Sequence, residues 1–338
     1  MTTPTTKLKA LRLCGGLALL SAAALGVALV VGSSAIAPAD VLRVLLLPDG
    51  SADAEIVHGL RLPRALVAFG TGALLALAGA LLQVLLRNPL ADPYVLGASG
   101  GAAVGALGAM LLGLGAAGLQ LGAFGGALLS IVLVFGIAQR DLAAQGLAGH
   151  ADPGAPRLLL TGVMFAALWS ALITLLLLVA PDARLRGMLF WLVGDLSGSA
   201  TPWWPLATLA LLLLATLPLA RELNVLLRGP ALAHTLGVRV APLRRRIYLL
   251  ASLATAVAVT SGGAIGFVGL VVPHALRLAI GNDQRLLLPG SALAGGSLLV
   301  LADTLARSVM APQQLPVGVI MALLGAPMFL WLLLRRGG

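Results

Sequence analysis

The sequence predicts an all-α, polytopic membrane protein with about ten transmembrane helices, and three observations carry that expectation. Apolar residues make up 59% of the 338 residues and charged residues only 10%, against roughly 45–50% and about 25% in soluble domains. The mean hydropathy is +1.03. The apolar residues gather in runs at 11–33, 64–85, 95–115, 118–138, 157–180, 203–220, 246–262, 266–281, 286–308 and 316–334, most of them near the roughly 20 residues a spanning helix needs. This composition excludes a soluble enzyme, a nucleic-acid binder and a disordered tail.

The first run begins with Lys7, Lys9 and Arg12 and ends near Ala35-Ile36-Ala37, in the manner of a signal peptide. It is longer than the usual apolar core of about 7–15 residues, and Pro38 would follow the cut, so a retained helix is expected. Cys14, the lone cysteine, rules out a disulfide framework or a zinc cluster and is expected to be inert packing. The glycine-rich stretches Gly97–Gly115 and Gly122–Ala127 let helix backbones approach closely. Trp191, Trp203 and Trp204 gather near the outer end of the sixth run, as an aromatic belt would. The seventh and eighth runs are short, with Gly262–Gly263 between them. Segments 34–63, 139–156, 181–202 and 221–245 are each too small to bury a core of their own, so 1–338 reads as a single membrane domain.

With the N-terminus in the cytoplasm, sixteen of the 22 Lys and Arg residues fall on the inner side. That bias follows the positive-inside rule. It accounts for the net charge of +10 without nucleic acid.

A P-loop needs a lysine after a glycine-rich turn. The only lysines are Lys7 and Lys9, so any ATPase that powers this protein is another chain. Ion-coupled transporters keep ionisable groups near the bilayer midplane, whereas most acids here lie at span ends or in loops. Asp303 is expected to pair locally with Arg307, four residues on. His274 is expected to be a buried histidine satisfying backbone near Pro273, which leaves a carbonyl in the preceding turn without its donor. An ion-coupled secondary transporter remains the alternative function, separated by whether an ATPase copurifies.

Two stretches carry a specific pattern. The first runs Arg61-Leu62-Pro63-Arg64, then Arg87-Asn88-Pro89-Leu90-Ala91-Asp92-Pro93, then Leu96-Gly97-Ala98-Ser99-Gly100-Gly101. The second runs from Gly263 through Phe267-Val268-Gly269 to Pro273-His274, continues at Leu287-Leu288-Pro289-Gly290 and Leu301-Ala302-Asp303, and ends at Leu315-Pro316-Val317-Gly318 and Leu324-Gly325-Ala326-Pro327. From about residue 55 to the C-terminus, the chain resembles the FecCD-type permease subunits of bacterial importers for iron chelates, haem and cobalamin.

The resemblance implies a type II ABC importer permease of ten helices, working as a homodimer in the bacterial inner membrane with both termini cytoplasmic. Two ATP-binding subunits would attach inside, carrying the ATP and Mg; a periplasmic substrate-binding protein would deliver the chelate. No cofactor, metal or catalytic residue is expected on this chain. A ferric siderophore is the first cargo expected, with cobalamin and haem close behind.

The resemblance also assigns residues. Arg61, Arg64 and Arg307 would dock glutamates of the binding protein; helix-end arginines reaching water and headgroups are the other reading. Asn88, Pro89 and Leu90 would narrow the inner mouth, as would the turn near Ala155 and Pro156, although some relatives place small hydroxyl residues at the latter. A plain helix-ending turn is the alternative. Segment 229–243 would form a pair of short cytoplasmic helices that couple to the ATPase, with Leu236-Gly237-Val238 as the turn between them and Arg244-Arg245-Arg246 as a positive-inside anchor; a passive loop is the alternative. Segment 183–200 would hold a short helix at the outer mouth.

Overall fold

The computed structural model describes residues 4–32, 34, 36–47, 50–144, 154–198 and 201–334, and among these it contains helices and no strand. In chain order the helices are α1 (Pro4–Val30), α2 (Pro38–Leu46), α3 (Ala52–Glu55), α4 (Leu62–Leu85), α5 (Ala98–Leu111), α6 (Ala116–Ala144) and α7 (Gly154–Leu178). They continue as α8 (Asp182–Val193), α9 (Trp203–Thr216), α10 (Ala220–Leu226), α11 (Pro230–Thr235), α12 (Val240–Gly262), α13 (Val268–Ile280), α14 (Gln284–Ser308) and α15 (Val317–Leu334). A π-helical turn, Ile56–Arg61, joins α3 to α4, and a 3₁₀ turn, Pro93–Leu96, precedes α5.

Each apolar run read from the sequence coincides with a helix. Six helical stretches are long and apolar enough to cross a membrane: 12–30, 52–85, 116–137, 160–178, 203–226 and 284–308; Ala98–Leu111, Val268–Ile280 and Val317–Trp331 are shorter apolar helices.

Helix α4 is apolar around its whole circumference and is buried along nearly all its length, the signature of a central helix. Helices α12, α13 and α14 pack around it. Leucines on α7, α9 and α15, such as Leu160, Leu175, Leu214 and Leu323, face outward. An exposed apolar surface of this extent suits lipid rather than water. Helix α1 lies along α14, where Ser21 Oγ meets Ser297 Oγ at 2.9 Å. The first run is therefore an integral part of the bundle.

Three expectations are corrected. The seventh run is a long helix, α12, and its break from α13 is buried inside the bundle. A Cβ on Gly262 would lie 3.4 Å from Thr71 Cγ2 in the middle of α4. Irregular backbone at such depth is tolerated only where protein buries it or it lines a cavity. Here Tyr94 Oη donates to the Ile265 carbonyl at 2.7 Å. Pro273 cannot donate to the Gly269 carbonyl, and Gln83 Nε2 reaches that oxygen at 3.5 Å and Leu270 O at 3.3 Å. Gln83 thus supplies backbone satisfaction near Pro273, and His274 is fully buried, as expected, edge-on to Phe329.

The aromatic belt shrinks to two residues: Trp203 and Trp204 are exposed, whereas Trp191 is buried at the end of α8. In segment 229–243 only one short helix, α11, forms; its expected partner is the first turn of α12. Pro242 does not break that turn, because the first N–H groups of a helix have no intrahelical acceptor.

Candidate functional site

The candidate residues collect at the two ends of α4. The helix is 24 residues long, so its ends are about 36 Å apart at 1.5 Å per residue, slightly more than the roughly 30 Å hydrocarbon core.

At its N-terminal end stand Arg61, Arg64 and Arg307. Arg61 is buried, with 5% exposure. Its Nη1 donates to the carbonyls of Leu29 (2.6 Å) and Val30 (2.8 Å), and its Nη2 to the carbonyl and hydroxyl of Ser34 (2.6 and 2.9 Å). Arg307, 7% exposed, donates through Nη2 to the Ala28 carbonyl. The last carbonyls of a helix have no intrahelical donor and carry partial negative charge. Two arginines from other helices thus cap α1.

Arg64 is bound differently. Its Nε donates to both oxygens of Asp303 (3.1 and 2.9 Å) and its Nη2 to Oδ1 (2.8 Å), while Nη1 donates to Gln314 Oε1 (2.7 Å). Asp303 had been expected to serve Arg307; that contact is the looser one, 3.9 Å from Arg307 Nε to Oδ2. A forked guanidinium–carboxylate pair outcompetes a helix-neighbour contact because it makes parallel, charge-assisted bonds. Gly32, Ser34, Ile56, Leu60, Gln314 and the three arginines line a cavity of about 310 Å³.

At the C-terminal end, Arg87 closes the helix in the left-handed conformation (φ 46°). Asn88 Oδ1 then accepts from the Leu90 N–H at 2.9 Å, and Asn88 O accepts from the Ala91 N–H at 3.1 Å. Pro89 lies within this doubly bonded turn, and Leu90 is exposed at 42%. Asp92 caps the following 3₁₀ turn through the Tyr94 N–H at 2.8 Å. Burial raises its carboxyl pKa, and that hydrogen bond lowers it. Ala155 and Pro156 fall in the first turn of α7 rather than in a loop; residues 145–153 before them, part of the expected second constriction, lie outside the described residues.

Leu236, Gly237 and Val238 form the reversal after α11. Gly237 has φ +80° with nothing within 4 Å of where a Cβ would stand, and Val238 N–H returns to the Ala233 carbonyl at 2.9 Å. A groove of about 290 Å³ is lined there by Glu222, Leu236, Gly237, Val238, Arg239, Pro242, Leu243 and Arg246. This turn region adjoins the Asn-Pro turn: a Cβ on Gly229, just before α11, would find only Arg87 Nη1 within 4 Å. Of the three neighbouring arginines, Arg244 is buried, unlike an anchor in solvent, whereas Arg245 and Arg246 are exposed.

The described residues form an all-helical bundle with a buried central helix, polar clusters at that helix's two ends and several helices long and apolar enough to cross a membrane, the architecture of a polytopic membrane protein. A family model, the FecCD transport family, matches residues 19–335, and the chain belongs to that family. The cobalamin import system permease protein BtuC of Halobacterium salinarum is 46% identical over 286 residues, covering 83% of this chain and 74% of that protein. The hemin transport system permease protein HmuU of Yersinia pestis is 42% identical, over 82% of each chain. The vitamin B12 import system permease protein BtuC of Escherichia coli is 40% identical over 83% of this chain and 84% of its own. A solved metal-chelate type ABC transporter in an inward-facing conformation superposes with a TM-score of 0.83 at 30% identity, over 96% of this chain and 99% of that one. The fold is that of a type II ABC importer permease.

Proposed function

We propose that this chain is the membrane-spanning permease subunit of an ATP-driven importer for a metal chelate, working as a homodimer in a bacterial inner membrane with both termini cytoplasmic. It performs no bond chemistry: two separate ATP-binding subunits hydrolyse ATP, and a periplasmic binding protein delivers the cargo. The observation that carries this reading is the division of polar clusters between the two ends of α4. An arginine-lined cavity at one end suits an acidic docking partner. At the other end, the Asn88-Pro89-Leu90 turn meets the α11 segment through Arg87 and Gly229, so movement at an ATPase groove would reach the inner mouth.

Cobalamin becomes the first cargo, because two of the relatives named above are cobalamin or vitamin B12 permeases; haem follows, then ferric siderophores. The secondary-transporter alternative loses its main candidate, since Asp303 is held by the Arg64 guanidinium.

Copurification tests the assembly. Solubilised from its native membrane, the tagged chain is expected to bring down an ATPase in equal amount. Recovery as a lone permease with ion-driven transport would overturn the reading.

A further inference from the structure

The arginine cluster contains a buried acid that none of the roles above uses. Asp303 is 2% exposed, so it does not meet a partner at the surface. Among the described residues, its carboxylate contacts are with guanidinium groups. Three of these contacts come from the Nε–Nη2 edge of Arg64. Gln314, exposed at the other side of the same guanidinium, accepts from Nη1. The Arg64 plane is therefore fixed from two directions, by a carboxylate beneath and a carboxamide beside it. Arg61 and Arg307 are fixed by α1 carbonyls. Hydroxyls assist there, Ser34 for Arg61 and Thr304 for Arg307, whereas Arg64 is held by the carboxylate of Asp303 and the carboxamide of Gln314.

We propose that Asp303 is a positioning residue for docking: with Gln314 it holds the Arg64 guanidinium ready to receive a carboxylate of the binding protein. This rests on the docking role given to Arg64 above. The physical argument has two parts. An arginine side chain loses much rotamer freedom when it is fixed, and ordering it in advance removes that cost from the binding step. Asp303 also pairs with two of the three guanidinium groups that line a single cavity, Arg64 closely and Arg307 at longer range. Without it the cluster would repel itself and splay Arg64 towards solvent.

The two parts predict a kinetic signature. Asp303→Asn makes the outer face more positive, which leaves the encounter rate with an acidic partner unchanged or faster. The loosened Arg64 then shortens the life of the complex.

The test measures association and dissociation of the copurifying binding protein on the importer complex in nanodiscs, across ionic strengths. It compares Asp303→Asn, Asp303→Glu, Gln314→Ala, Arg64→Ala and the Arg64→Ala/Asp303→Asn pair. The expected result is a dissociation rate raised about tenfold in Asp303→Asn, the cost of ordering one rotamer-rich side chain on docking, and a smaller rise in Gln314→Ala. Asp303→Glu, which keeps the charge, recovers part of the loss. In the Arg64→Ala background Asp303→Asn has no further effect, because it acts through Arg64.

An equal effect in both backgrounds would show a general structural role and overturn the proposal. Tighter docking in Asp303→Asn would overturn it by showing that Asp303 competes for Arg64. If Arg64→Ala docks normally, the docking role fails, and the positioning role fails with it. If Asp303→Asn does not fold, Gln314→Ala carries the test, and unchanged dissociation there refutes the cradle.

Discussion

Gly79 in α4 lies against Gly269 in α13 so closely that a Cβ on Gly79 would sit 1.8 Å from the Gly269 carbonyl oxygen. The same carbonyl is the one Pro273 leaves without a helical donor and Gln83 reaches. The contact pins α13 to the central helix just below the buried break. Small residues permit such backbone approach in membranes, where helix association depends on packing.

Gly79→Ala therefore forces backbone apart. The expected cost is about 1–3 kcal/mol or more, the range for overpacking a well-filled core, seen as a lower unfolding temperature and a smaller monodisperse yield in detergent. Gly108→Ala is the control: nothing lies within 4 Å of its added Cβ, and the better helix former is expected to be neutral or stabilising by about 0.5–1 kcal/mol. Equal behaviour of the two variants would contradict the packing argument.

Arg61→Lys is expected to destabilise the protein despite keeping the charge. A lysine cannot span the Leu29, Val30 and Ser34 acceptors with one planar fork. Losing hydrogen bonds made by a charged group costs about 1.5–3 kcal/mol, and protease cleavage near the end of α1 should accelerate. Arg64→Lys, at a side chain that bonds Asp303 and Gln314 rather than α1, should leave that cleavage unchanged.

Asp92 gives a pH dependence of defined sign. Burial holds its carboxyl pKa above the ordinary 3.8, against the Tyr94 N–H that pulls it down. The folded chain thus binds this proton more tightly than the unfolded chain. The site's contribution is least favourable where Asp92 is ionised in both states, and it improves as pH falls through the raised folded value towards 3.8. Asp92→Asn keeps the acceptor for Tyr94 and removes the charge. Its melting temperature at neutral pH is expected to equal or exceed that of the parent, and the gain on acidification attributable to this site should vanish. A clear loss of stability at neutral pH would contradict the assignment.

Gly237→Trp places a large side chain where the turn now has open space, beside the groove lined by Leu236, Val238 and Arg239. It also forces a non-glycine residue to φ +80°, at a cost of about 1–2 kcal/mol. Gly237→Ala bears the strain without the bulk. ATPase copurification should fall sharply in the tryptophan variant and persist in the alanine variant. Retention in both would leave the turn without a coupling role.

The spans were legible because hydropathy over some 20 residues is a strong signal. The arginine cluster was legible only in part. The motif picked out Arg61, Arg64 and Arg307, yet their acceptors on α1 are backbone carbonyls, which no side-chain pattern announces. Asp303 was matched to its helix neighbour Arg307, whereas its principal partner, Arg64, is 239 residues away in sequence. Gln83 was overlooked, although a lone carboxamide in an otherwise apolar helix was a visible sign of a polar task. The expected second coupling helix was absorbed into α12 because no residue after Arg239 stops helical continuation.

The central claim is tested most directly by uptake in proteoliposomes holding this chain, its ATPase and its binding protein, offered cobalamin, haem and ferric siderophores in turn. The account predicts uptake of one class, cobalamin first, that requires both ATP and the binding protein. Uptake driven by an ion gradient without ATP would contradict it.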